Sequence, residues 1–243
     1  MMNLIVYPPN FGEPSASPFC VKAMCLMELA GQPWKPKFTP DPRKAPKAKL
    51  PVLVDGDKTI ADSDQIRDHL ESTYAIDFDA GLDDTQRATS RAVIRMMEEH
   101  TYFAVVCDRW MNDGNWAHLR KAYFGHLPFP LFGLITRQVR RQAAGQVKNQ
   151  GMGRHSDEER FARVVKDVDS ITALLAGKPF LFGDKPTAAD LSAVPFLRAG
   201  ATTPEATQLS RRINDDANLT AYLERGMAAF YPDKELWTKP KAA

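Results

Sequence analysis

Cysteine is scarce in this chain: Cys20, Cys25 and Cys107 are the only three in 243 residues. So small and odd a number argues against a disulfide framework. The five histidines are scattered without metal-ligand spacing, and Cys20 and Cys25 lie five positions apart, so no zinc-type site is expected. Long apolar runs are missing as well. The stretch from Leu127 to Ile135 is broken by Pro128, Pro130 and Gly133, and falls far short of the ~20 residues of a spanning helix. Met1-Met2-Asn3 lacks the basic start and apolar core of a secretory signal. Nor does one sign of charge dominate. With 32 basic and 30 acidic residues the net charge is +2, which provides no general electrostatic reason for a nucleic-acid or membrane partner. No phosphate-binding glycine loop is present. The expectation is a reduced, cytoplasmic, metal-free protein.

What is present is an ordinary globular composition, 44% hydrophobic and 26% charged, with enough chain for a substantial core. Two textures divide it. Residues 1–76 alternate short β-rich runs with helical patterns, residues 77–82 read as a linker, and residues 83–243 read as helix. Asn3 to Tyr7 is a β-rich run stopped by Pro8-Pro9. Ser17-Pro18 has the form of a helix start, serine as N-cap and proline at the first helical position. Val21, Met24, Cys25, Leu26 and Leu29 then line an apolar face that Gly31 ends. Trp34 to Phe38 forms a second strand, and the Pro- and Lys-rich segment from Pro40 to Lys49 is irregular. Leu50 to Ala61 reads as a hairpin turning at Asp55-Gly56-Asp57. Ser63 is placed to cap the following helix, which carries Ile66, Leu70 and Tyr74. Beyond the linker, helical patterns span roughly 83–111, 116–148, 156–176, 187–200 and 216–230. Thr187 and Asp190 form a capping-box variant worth ~1–2 kcal/mol to folding.

Four segments in this order resemble the glutathione transferase superfamily over essentially the whole chain. They are Ser17-Pro18-Phe19-Cys20, Leu50-Pro51-Val52-Leu53, Asp62-Ser63, and the run from Phe182 to Asp190. Ser17 to Lys22 and Gln150 to Ser156 further resemble the metaxin and failed-axon-connections branch, some of whose members are adaptors rather than enzymes. The resemblance implies an N-terminal α/β thioredoxin-like domain followed by an all-α bundle, with glutathione as co-substrate. It also implies a symmetric homodimer and an unknown small electrophile as second substrate.

The thiol of glutathione has to be ionised, and a free thiol with pKa ~8.5 is mostly protonated at neutral pH. A serine hydroxyl has one proton and two acceptor sites, so Ser17 can cap the helix and still donate to sulfur, aided by the helix's positive end. Capping alone is the plainer role. Tyr7, at the end of the first strand, competes with Ser17 as activator, and Ser15 is a weaker third. Cys20 stands where a Cys-x-x-Cys motif has its second thiol. With serine at the first position, dithiol exchange through the pair is excluded. Either Cys20 has a lowered pKa in the first helical turn, or it is a small buried apolar residue.

The remaining assignments are what the resemblance implies. Leu50-Pro51 is a cis turn whose backbone pairs with the cysteinyl part of glutathione. Asp62 and Ser63 hold the γ-glutamyl end, and Lys49 or Lys47 reaches the glycyl carboxylate. Tyr102, Arg109 and Trp110, with Phe103 and Trp116, are possible walls of a second-substrate pocket, although aromatics at helical spacing more often belong to a core. The basic stretch of Arg137, Arg140, Arg141, Lys148 and Arg154 has no interleaved aromatics and reads as a solvated helix face.

Overall fold

The computed structural model describes residues 1–125 and 127–238. His126 and the last five positions of the expected helical domain lie outside the described residues. The small sheet is built from β1 (Met2–Val6), β2 (Trp34–Phe38), β3 (Val52–Asp55) and β4 (Lys58–Ala61), in the order β2-β1-β3-β4. β1 runs parallel to β2 and antiparallel to β3. In β1 the period-two alternation of a strand puts Met2, Leu4 and Val6 into the core. The hairpin pairs Asp55 with Lys58, so its turn is the two residues Gly56 and Asp57 rather than three.

Helix α1 (Pro18–Ala30) is buried on nearly every face, wedged between the sheet and the helical domain, and ends at Gly31 with φ 64°. Helix α2 (Ser63–Tyr74) starts differently from the expectation. Ser63 is its first residue and is buried, while Asp62 is the cap, its carboxylate accepting from the Asp64 amide at 2.9 Å. Asp62 holds φ 101°, a conformation that costs a non-glycine residue of order 1–3 kcal/mol.

The helical region begins with α3 (Asp84–Met96), which continues through a π-helical turn (Met97–Thr101), α4 (Tyr102–Val106) and a second π turn (Cys107–Met111). The pattern expected over 116–148 is two helices, α5 (Asp113–Phe124) and α6 (Leu131–Gln150). They are separated where prolines at 128 and 130 remove backbone donors, and the Phe129–Pro130 bond is cis. After these come α7 (Asp157–Leu175), α8 (Ala188–Ala201), α9 (Gln208–Asn214), α10 (Ala217–Phe230) and α11 (Glu235–Thr238). Helix α9 lies outside the expected helical spans, its seven residues being too few for a clear periodic signal.

At the start of α8, Asp190 does more than close a capping box. Its carboxylate accepts from the Leu181 and Thr187 amides (3.0 and 2.8 Å) and from the hydroxyls of Thr187 and Tyr222 (2.9 and 2.8 Å), fully buried. Burial raises its pKa, and these four donors oppose the shift.

A second polar knot joins the two halves of the chain. Lys22 of α1 is 1% exposed, with its ammonium 2.8 Å from Asp64 and 2.5 Å from Glu98. Arg95 bridges the same two carboxylates, and Ser192 donates to Glu98 at 2.9 Å. None of the described helices is long and apolar enough to cross a membrane.

Candidate functional site

Antiparallel pairing of Ile5 with Val52 brings the end of β1 beside Leu50-Pro51, at the entrance of β3. That peptide bond is cis. The Asp62 amide donates to the Pro51 carbonyl at 3.3 Å, linking the cis turn to the start of α2. Lys22 and Asp64 tie α1 to α2 one turn further in. Tyr7, Ser17, Leu50, Pro51, Asp62 and Ser63 therefore gather at one end of the sheet. Lys49 and Lys47 are exposed on the irregular segment before it.

At the start of α1, hydrogen bonding departs from the expectation. The Ser17 carbonyl accepts from the Val21 amide, but its hydroxyl makes no capping bond. It stands close enough to the Cys20 thiol to favour its ionisation, as do the Ser15 hydroxyl and the Tyr7 backbone. Ser15 donates its proton to the Tyr7 carbonyl at 2.8 Å, so as a donor to sulfur it is already committed. Cys20 is completely buried, and burial pushes its thiol up to about 11 against the pull of those contacts. The apolar role holds for Cys20, and a lowered pKa does not. Burial likewise raises the pKa of Tyr7, reinforced by Cys20, Tyr102 and Tyr123.

Behind the helix start stands Arg109, 6% exposed. One terminal nitrogen donates to the Ala16 carbonyl (3.4 Å) and the other to the Thr202 hydroxyl (3.2 Å), and the guanidinium lies over the Phe11 ring at 5.2 Å. Its Nε is buried without a partner, and burial lowers its pKa. Among the described residues no carboxylate lies within ion-pair distance of it. The adjacent carboxylate, Glu13, is taken by Arg198 and Tyr231. A guanidinium never loses its proton in practice, so Arg109 and Arg198 against the single carboxylate of Glu13 leave this corner with a net positive charge, and no acid sits in the first turn of α1 to cancel the helix end.

Tyr102 packs edge-on against Phe19, Phe103 and Phe196. Burial holds its hydroxyl near 12. Trp110 stands further out, its ring 5.5 Å from Trp116 and 6.3 Å from Tyr123. Sequence reasoning missed Tyr123, whose hydroxyl donates to the Ala16 carbonyl at 3.4 Å. It also missed Phe11, Glu13 and the Lys22 knot. A lone lysine amid the apolar residues of α1 was the one available signal for that knot. Two clefts of about 350 and 230 Å³ lie away from this corner, around Cys107, Met111 and Lys148 and around Asp108, Phe161 and Thr207, sharing Arg160. Among the described residues no cluster of histidine, cysteine and acid suits a metal.

Comparison with known proteins agrees with this architecture. Residues 18–115 match the glutathione S-transferase N-terminal domain, and residues 155–225 match the C-terminal domain. The isoprene-epoxide glutathione S-transferase of Rhodococcus sp. (strain AD45) is 30% identical, over 93% of this chain and 97% of that protein. Failed axon connections of Drosophila melanogaster is 28% identical over 93% of this chain and 57% of its own length. Metaxin-3 of Xenopus laevis is 25% identical over 81% and 66%. Among solved structures, the β-etherase of Sphingobium sp. strain SYK-6 superposes with a TM-score of 0.68 at 19% identity, covering 98% and 99% of the two chains. Full-length likeness to a named transferase, on a thioredoxin-like sheet followed by a helical bundle, makes this chain a member of the glutathione S-transferase family.

Proposed function

We propose that this protein binds glutathione across the ends of β1 and β3 and the starts of α1 and α2, and activates its thiol for attack on a small electrophile. The observation that carries this reading is the buried Arg109 guanidinium, which among the described residues has no carboxylate within ion-pair distance and is bonded to the carbonyl immediately before Ser17. Lowering a thiol pKa by ~2 units requires ~2.7 kcal/mol of preference for the anion. A fixed positive charge, a helix N-terminus and one hydroxyl proton supply interactions of that order in a buried setting.

In this reading the Leu50 backbone pairs with the cysteinyl unit. Ser63 and the first amides of α2 receive the γ-glutamyl carboxylate, Asp62 receives its ammonium, and Lys49 screens the glycyl carboxylate. Ser17 donates to sulfur, with Tyr7 as the competing donor. Tyr102 and Arg109 wall the acceptor side, and Trp110 borders it through Tyr123. The likeness to an epoxide transferase makes an aliphatic epoxide the first electrophile to test. The thiolate would attack a ring carbon, forming C–S as C–O breaks, and the released oxygen would take a proton. The protein is proposed to act as a cytoplasmic homodimer, without a metal.

A second reading, a binding or adaptor module without turnover, draws on the likeness to Failed axon connections and on the Ser17 hydroxyl, whose nearest thiol is that of the buried, protonated Cys20. The two separate on one experiment: glutathione binding by calorimetry, then mass spectrometry of an adduct with an aliphatic epoxide and with a generic aromatic halide. Binding with adduct formation supports the transferase. Binding without adduct from either electrophile leaves the adaptor.

A further inference from the structure

The most exposed apolar side chains of the helical region crowd into one place. Phe129 is 95% exposed, Leu134 62% and Leu131 47%, all within six residues at the junction of α5 and α6. Helical spacing sets Leu131, Leu134 and Arg141 on the face of α6 opposite its buried Thr136, Ala143 and Val147. The charge around them is one-sided. Residues 114–156 hold seven lysines and arginines and no aspartate or glutamate, in a chain whose net charge is only +2. Arg140 is neutralised by Asp113. Arg120, Lys121, Arg137, Arg141 and Lys148 are exposed and, among the described residues, have no acidic partner within ion-pair distance. Arg120 lies over the Phe132 ring at 5.8 Å, which fixes a cation beside the apolar tip.

We propose that this α5–α6 tip is a docking surface for an anionic lipid bilayer, with Phe129, Leu131 and Leu134 entering the interface and the surrounding cations meeting lipid phosphates. An apolar tip inside a cationic rim is the chemistry of peripheral membrane contact. Each cation near an anionic surface contributes roughly fivefold in partitioning. A second copy fits less well, because a two-fold contact would set this cationic stretch against itself. Nucleic acid would satisfy the charge, but Phe129 alone of the three exposed apolar side chains offers a base a stacking face, and Leu131 and Leu134 offer none. The proposal rests on the tip alone and stands whether or not thiol transfer occurs. If transfer does occur, Tyr123 on α5, bonded to Ala16, sets the candidate site beside the membrane-facing end.

The test is co-sedimentation of the full chain with vesicles of equal parts phosphatidylserine and phosphatidylcholine, and with phosphatidylcholine alone. The parent should bind the anionic vesicles, weaken as salt rises and leave the neutral ones largely unbound. Arg137→Gln with Arg141→Gln should lower partitioning by about thirtyfold, and Leu134→Ser by about tenfold or more. These sites are exposed, and an unchanged circular dichroism spectrum establishes that the variants fold. Failure of the parent to bind anionic vesicles overturns the proposal. So does a dimer in solution that Leu134→Ser splits, or single-stranded oligonucleotide binding as tight as the lipid binding and indifferent to Leu134→Ser.

Discussion

At the scale of single residues, Ser17 and Tyr7 offer hydroxyls in different states. Tyr7 is partly buried and its pKa raised, so it is a weak proton donor whose ring contributes packing. Ser17 sits at a helix end one residue beyond the carbonyl that Arg109 grips. Ser17→Ala should therefore raise the pKa of bound glutathione and lower turnover at neutral pH, with affinity changed little, because the hydroxyl acts on the reacting anion. Tyr7→Phe should leave that pKa nearly in place. Thiolate absorbance against pH in both variants decides the matter, and a rise only in Tyr7→Phe would make tyrosine the activator. A cysteine three residues on does not rescue either variant. Cys20 is held near 11 by burial and stays protonated at neutral pH.

At the scale of elements, Asp62 holds two opposed contributions. Its φ of 101° costs of order 1–3 kcal/mol, while its cap on the Asp64 amide returns about 1 kcal/mol. Asp62→Gly should leave the melting temperature unchanged or higher and weaken glutathione binding, since it removes the carboxylate that the proposed site offers to an ammonium. Equal loss of stability and affinity would mean that the residue serves the fold alone. Asp190 is the opposite case. Four buried donors lose their acceptor in Asp190→Ala, so the cost should be roughly 3–5 kcal/mol, above the ~1–2 kcal/mol of an isolated cap, as read by urea unfolding.

These motifs were legible because each is contiguous: Ser17-Pro18, Leu50-Pro51, Asp62-Ser63 and Thr187 to Asp190 announce a joint within a few residues. The α5–α6 break was readable in principle from Pro128 and Pro130, but helical periodicity on both sides masked it. Tyr123 at Ala16, and Glu98 at Lys22, depend on contacts across 107 and 76 positions, and no local pattern encodes those.

At the scale of the whole molecule, Lys22, Asp64, Arg95 and Glu98 clamp the sheet domain to the helical one. Burial works to raise the Asp64 pKa, and Lys22 with Arg95 and Arg91 overrides it, to about 2. A carboxylate held below its unfolded pKa of about 3.9 contributes stability that is complete above that value. The contribution is lost as pH falls through the folded one. The melting temperature should drop between pH 4 and pH 2, and Lys22→Met should make that drop shallower while lowering stability at neutral pH by roughly 3–5 kcal/mol, the scale of removing one partner from a buried ion pair. Adding Glu98→Gln should restore part of the loss. A neutral-pH stability indifferent to Lys22→Met would dissolve the clamp.

The two π turns in the run from Asp84 to Met111 alter which residues face the candidate site. A π turn takes more residues per revolution than the α-helix, so each retards the angular phase of everything after it, as an added tooth does on a gear. Glu98 meets Lys22 in the first turn, and Arg109 meets Ala16 in the second. On an uninterrupted helix the two would fall out of step with those partners. The spacing between clamp and candidate active site is thus set by residue count as well as residue type. A one-residue deletion inside Met97–Thr101 that returned this turn to α-helix would keep Arg109 in phase with the candidate site, whereas straightening the turn at unchanged length would rotate Arg109 away from it.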